Sequence, residues 1–305
     1  MQSNKRSRKK LLLGFETNHL INLIAFIAVV FIFFKFIYVI YRMTDLSEAQ
    51  FRNSVYDYFI LPSNLSTFFT KPWSIFTYMF MHFGVLHVLG NLLWLWAFGF
   101  IMQDLTGNGR VIPVFLYGGL AGGIFFMLAY NLFPALSPVS SVATLEGASA
   151  GAMAVAVATT MLAPGYRLLP MLNGGIPLWV VTLIFVVVDL ATIPTSNPGG
   201  HIAHLAGALI GFLYVLEVRR GRDWGLWIIN FFDWFSDLFN PKKGKKSARE
   251  KHFYKVGNTR PYEKVPNITQ QRIDALLEKI HQKGYRSLSE EEKEILKRAA
   301  EDDNL

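Results

Sequence analysis

Residues 83–102 read FGVLHVLGNLLWLWAFGFIM, twenty consecutive positions without a charged side chain. A helix rises about 1.5 Å per residue, so this stretch spans the roughly 30 Å hydrocarbon core of a bilayer. The scarcity of charge continues on both sides. Residues 76–216 hold five charged side chains in 141 positions (Asp104, Arg110, Glu146, Arg167 and Asp189), while residues 241–305 hold 27 in 65. Soluble domains are about 25% charged throughout, so the first region is not an ordinary water-facing surface. The 26 Phe and 7 Trp suit the same apolar setting. The fold class is therefore all-α, a polytopic membrane protein with a small helical tail. The chain has no cysteine, which removes disulfides, thiol nucleophiles and Cys-ligated metals.

Working outward, six stretches have the length of a span or nearly so: Leu20–Tyr41, Phe83–Met102, Val111–Leu132, Gly147–Ala163, Ile176–Ile193 and Ile202–Leu216. The first follows Lys5, Arg6, Arg8, Lys9 and Lys10 but is too long for a signal peptide, and no small-residue cleavage site follows it. The formal charge of +8 gathers mainly in residues 1–10 and 219–264, beside the apolar region. That placement suits membrane orientation and anionic lipid, not nucleic acid. Arg110, Arg167 and the Arg219, Arg220 and Arg222 group fall on one side, while loops 133–146 and 194–200 carry no basic residue. The expectation is a multi-pass protein of the cell membrane with both termini cytoplasmic.

Four regions follow. Residues 1–19 are a basic cytoplasmic N-terminus. Residues 20–217 form the membrane domain, with loop 42–82 in the outer interface. Residues 218–264 hold an amphipathic juxtamembrane helix over Trp224–Phe239 and a basic linker, either a solvated spacer or a lipid contact. Residues 265–305 form a helical hairpin. There Ile273, Leu276, Leu277 and Ile280 make one apolar face, and Ser289 with Glu292 makes a capping box.

Polar side chains inside spans are costly and mark function by default. The second, fourth and sixth spans run in the same direction, and their N-terminal ends carry His87 and Asn91, Ser149, and His201 and His204. Ser149 lies in Gly147-Ala148-Ser149-Ala150-Gly151, which reads either as a nucleophile setting or as a small-residue packing motif. The fourth span is short, so Ser149 is expected below the outer surface, in a wet cavity beside free helix N–H groups. A serine nucleophile needs a base. His204, on the stripe with Gly207 and Gly211, is the candidate, and His201 the weaker one. His87 and Asn91, at i and i+4, share a face and serve as oxyanion donors or as an interhelical hydrogen-bond pair. His82 is read as holding the outer loop. Asp189 lies on the same side, but no spacing rule connects it to His204.

At these residues the chain resembles the rhomboid family of intramembrane serine proteases. Trp73 to Asn91, with the H-x-x-x-N pair at His87 and Asn91, is similar to the family's entry into its second helix. Gly147-Ala148-Ser149-Ala150 is similar to its nucleophile motif, and Ala203-His204-Leu205-Ala206-Gly207 with Gly211 to its sixth-helix motif. The resemblance implies a six-helix rhomboid-like bundle with Ser149 as nucleophile and His204 as base and acid. It implies His87, Asn91 and the Ser149 N–H as oxyanion hole, and Gly207 and Gly211 as the close-packing pair. It also implies a dyad, leaving Asp189 out. No cofactor or metal is expected. The substrates implied are single-pass transmembrane proteins, cut near the outer ends of their helices. Ser74 stands where many members carry Arg, and Met153 where some carry an aromatic ring. An inactive rhomboid-like binder of transmembrane partners is the alternative; a transporter would place polar groups across the full membrane depth.

Overall fold

The computed structural model describes residues 18–169, 174–238 and 270–301. The basic run before residue 18 and the linker 241–264 lie outside the described residues. The chain divides into two compact units, Met1–Asn240 and Pro241–Leu305.

The first unit is helical. Four helices are long and apolar enough to cross a membrane: α1 (His19–Met43), then, after the short α2 (Glu48–Ser54), α3 (Leu65–Thr70) and α4 (Ser74–Thr77), α5 (Val85–Thr106) and α6 (Val111–Leu132), and finally α9 (Pro198–Arg219). Two apolar helices are shorter, α7 (Ser149–Leu162) and α8 (Leu178–Thr192). Large apolar side chains stand exposed along α1 (Ile21, Phe26, Ile32, Phe36) and α8 (Trp179, Leu183, Phe185, Leu190). A surface of that kind is stable against lipid and not against water. The protein is a multi-pass integral membrane protein.

Helix ends follow local chemistry. α5 begins after Gly84 and stops at Gly107, whose φ of +80° breaks the helix. The last apolar stretch starts four residues before the expected Ile202. Pro198 sits at the first helical turn, where its missing N–H costs nothing, and the Asn197 side chain accepts from Gly200 N–H at 3.2 Å. Both histidines of this segment therefore lie in the first two turns of α9.

α7 lies at the centre, packed by α5, α6, α8 and α9. Its Ala150, Gly151, Ala152, Ala154, Ala156 and Ala158 are buried, and such small residues let neighbouring backbones close in. A methyl group on Gly207 would overlap the Ala150 carbonyl, and one on Gly211 the Ala154 carbonyl. α9 therefore lies directly on the backbone of α7. On another side of α7 the Thr160 hydroxyl meets the Thr182 hydroxyl of α8 at 2.6 Å.

The long connection 42–82 is built, not draped. Ser47 and Gln50 cap α2 reciprocally. Phe51, Tyr56, Ile60 and Met81 are buried against Phe34 of α1. Lys35 of α1 stands over the Phe83 ring, 4.0 Å from its centroid. Ser74 is fully buried and makes no hydrogen bond through Oγ. Anchoring comes from its neighbours instead: Trp73 Nε1 donates to Tyr58 O at 2.8 Å, Thr77 Oγ1 to Phe59 O at 2.7 Å, and Lys71 Nζ to Asp57 O. Strand β1 (Leu61–Pro62) pairs antiparallel with β2 (Thr144–Leu145), so the connection is tied to the segment entering α7.

At the opposite end, Asp223 accepts from Arg110 Nε at 3.0 Å, Tyr214 Oη at 2.8 Å and Gly225 N–H at 2.9 Å. α10 (Leu226–Leu238) follows, with Leu226, Trp227, Phe231 and Trp234 exposed and Ile228 buried.

In the second unit, helices Gln270–Lys283 and Glu290–Glu301 bury Leu276, Leu288 and Ile295. Glu292 N–H donates to Ser289 Oγ at 3.3 Å and Ser289 N–H to Glu292 Oε2 at 2.8 Å, forming the capping box. Leu277, expected on the apolar face, is half exposed at 52%.

Candidate active site

Ser149 is the first residue of α7 and half buried. The helix has 14 residues, about 21 Å, and Ala148 and Ala150 on either side of Ser149 are buried. The backbone before it turns sharply. Gly147 has φ +117°, a conformation glycine adopts without strain. A Cβ there would stand 2.9 Å from His87 Nε2 and 3.4 Å from Asn91 Nδ2. Glycine at this position thus lets the segment entering α7 pass against both side chains of the i, i+4 pair on α5. Gly147 N–H also donates to Tyr78 O at 2.9 Å, and Phe83 N–H to Glu146 Oε1 at 3.2 Å.

His82 holds this corner together. Its Nε2 lies 2.9 Å from Asn91 Nδ2 and 3.1 Å from Ala148 N, and its Nδ1 lies 3.3 Å from Phe80 O. One tautomer satisfies all three, with Nδ1–H donating to the carbonyl and Nε2 accepting from both N–H groups. Burial, joined by the charge of His87, pushes the His82 imidazole down to about 4, which keeps Nε2 an acceptor at neutral pH. The sequence places His82 in the outer loop without its partners. A histidine in the turn leading into the H-x-x-x-N pair was the available signal.

The other side of the site comes from α9. Gly207, one turn after His204, rests on the carbonyl of Ala150, one residue after Ser149. Ser149, His204, His87 and Asn91 therefore lie around the start of α7, drawn from three helices. In this conformation the Ser149 hydroxyl makes no hydrogen bond to His204 among the described residues. Such bonds in substrate-free sites are often long and tighten in the substrate complex.

Asp189 enters where the sequence offered no rule. Its Oδ1 accepts from His204 Nδ1–H at 3.0 Å and from His201 Nδ1–H at 2.7 Å. It is 6% exposed, and its Oδ2 is buried without a hydrogen-bond partner. The available signal was its being the lone acid of the fifth apolar stretch, across from two histidines at i and i+3.

Chemically, this is a half-buried serine at a helix N-terminus, a carboxylate-bound imidazole on the helix packed against it, and an amide and a second imidazole around Gly147. The rhomboid domain family matches residues 70–221. The chain is 31% identical over 77 residues to the rhomboid protease GlpG of Salmonella newport (strain SL254), and equally to those of Salmonella heidelberg (strain SL476) and Salmonella agona (strain SL483). Each alignment covers 20% of this chain and 28% of the relative, so the chain spans less than a third of the length of these curated relatives. The chain belongs to the rhomboid family. Residues 262–302 match a family of unknown function, DUF6576.

Proposed function

We propose that this protein is an intramembrane serine endopeptidase that cleaves single-pass transmembrane proteins near the outer face of the membrane. Ser149 is the nucleophile and His204 the general base. Asp189 takes the Nδ1–H of His204, which leaves the Nε2 lone pair free to accept the Ser149 proton. The oxyanion of the tetrahedral intermediate is met by His87, the Asn91 amide and the Ser149 backbone N–H. His204 then returns the proton to the leaving amine. Water attacks the acyl-enzyme with His204 again as base, releasing the second product. Asp189 acts through His204 and touches no substrate; it is a positioning residue. His82 is another, since it orients the Asn91 amide.

In this reading all six apolar helices span the membrane, with both termini cytoplasmic and the site near the outer face of a cell membrane. The placement of Arg110, Arg167 and the arginines after α9 supports that orientation. The exposed aromatic residues of α10 suit the inner interface. The tail hairpin is an accessory or docking element.

The observation that carries the proposal is the double clasp on the first turn of α7. His87 and Asn91 flank Gly147 from one side, and the turn below His204 lies on Ala150 from the other. The test is cleavage of a transmembrane substrate in liposomes by the wild-type chain and by Ser149→Ala. Loss of cleavage in a folded variant supports the proposal; unchanged cleavage refutes it.

A further inference from the structure

We propose that Asp189, His201 and His204 form a divalent-metal site suited to zinc, and that a metal bound there switches off His204 as a base. The site itself stands on geometry alone; the inhibitory consequence rests on the protease reading above. It departs from the metal-free site that the sequence leads one to expect.

His201 and His204 are one turn apart on α9, and both turn Nδ1 toward the same oxygen of Asp189 on α8, at 2.7 and 3.0 Å. The three donor atoms all lie within 4.8 Å of one another. Zinc binds imidazole nitrogen and carboxylate oxygen at about 2.0–2.2 Å, so donors in a tetrahedral shell stand roughly 3.3 Å apart. The two oxygen–nitrogen separations are shorter than that and need a slight opening. A turn of the Asp189 carboxylate supplies it and brings in Oδ2, which is buried and has no hydrogen-bond partner. The His201 and His204 side chains keep 18% and 26% of their surface exposed, and both lie in the first two turns of α9. Two histidines and one carboxylate leave a fourth position for water, the donor set of an open zinc site.

The inhibitory step follows from tautomers. With Nδ1–H bonded to Asp189, His204 presents a bare Nε2. A metal on Nδ1 takes the place of the Nδ1 proton, which passes through solvent to Nε2, so the imidazole neither gains nor loses a proton overall. An Nε2–H donates and does not accept, so the serine proton has nowhere to go.

The test uses the detergent-purified full chain and equilibrium dialysis against zinc chloride, with cobalt(II) chloride absorption as a second probe. One ion per chain should bind, and cobalt should show the visible spectrum of a tetrahedral site. His201→Ala and Asp189→Asn should each weaken binding by about 10–100-fold or more, whereas Ser149→Ala should bind as the wild type does. Zinc should inhibit substrate cleavage reversibly, with chelator restoring it. His201→Ala should cleave without added metal and resist zinc. The two failures are distinct. A chain that binds one zinc but never cleaves refutes the protease reading and keeps the site. Absence of saturable zinc, or binding untouched in folded His201→Ala and Asp189→Asn chains, overturns the site.

Discussion

The Nδ1–H of His204 donates to Asp189 Oδ1 across 3.0 Å, from α9 to α8. That bond fixes which nitrogen of the imidazole faces away from the carboxylate. It also links His204 to the more exposed of the two shorter apolar helices, since α8 buries Leu178, Thr182 and Asp189 while presenting most of its large side chains outward.

Asp189→Asn is expected to lower kcat by a part of the ~10²–10⁴-fold that a positioned base contributes, with KM little changed. Michaelis kinetics in detergent and a melting curve on the same sample check this. A lower melting temperature with normal kcat in the folded fraction would make Asp189 a structural tie only.

Loss of either oxyanion donor should act on rate. Asn91→Ala and His87→Ala should each reduce turnover by about 10²–10³-fold. An interhelical hydrogen bond in a membrane contributes only about 0.6 kcal/mol, so melting temperatures should move little. In Asn91→Ala, His82 Nε2 keeps the Ala148 N–H as partner. Early melting with normal cleavage by the folded remainder would favour the hydrogen-bond-pair reading of His87 and Asn91.

His82 gives the fold a pH dependence with a definite sign. Burial holds its imidazole down to about 4, while an unfolded histidine titrates near 6.5. Between these values the unfolded chain binds the additional proton, so stability is full above about 6.5 and falls as pH drops toward 4, by ~3 kcal/mol at most. Melting temperature measured across that window should decline for the wild type and flatten for His82→Gln. The same slope in both would remove His82 as the cause.

Much of this could be read from residue types alone. The charge-poor stretches mark the apolar helices because burying charge in lipid is costly, and the small residues around Ser149 and after His204 announce backbone contact between α7 and α9. What stayed hidden depends on distance in space. Asp189 and His204 are fifteen positions apart on different helices, and no periodicity relates them. His82 bonds Asn91 nine residues on and Ala148 sixty-six residues on; only the folded loop brings these together. Ser74 stands where many family members carry Arg, and the outer loop is held instead by Trp73, Thr77 and Lys71, which bond backbone carbonyls.

Gly207 offers a purely steric test. Its Cβ position is taken by the Ala150 carbonyl, so Gly207→Val must push α9 away from α7. Overpacking of this kind costs about 1–3 kcal/mol, and the shift also displaces His204 relative to Ser149. Both melting temperature and cleavage rate should fall. An unchanged melting temperature would mean that the two helices do not meet at this point.

The most direct measurement is labelling with a serine-directed fluorophosphonate, followed by mass spectrometry of the modified peptide. The purified wild-type chain should carry the label on Ser149, and labelling should be lost in Ser149→Ala and strongly slowed in a folded His204→Ala, because the hydroxyl then has no base. A label on another serine, or equal labelling of Ser149 with and without His204, would contradict the assignment of these two residues as nucleophile and base.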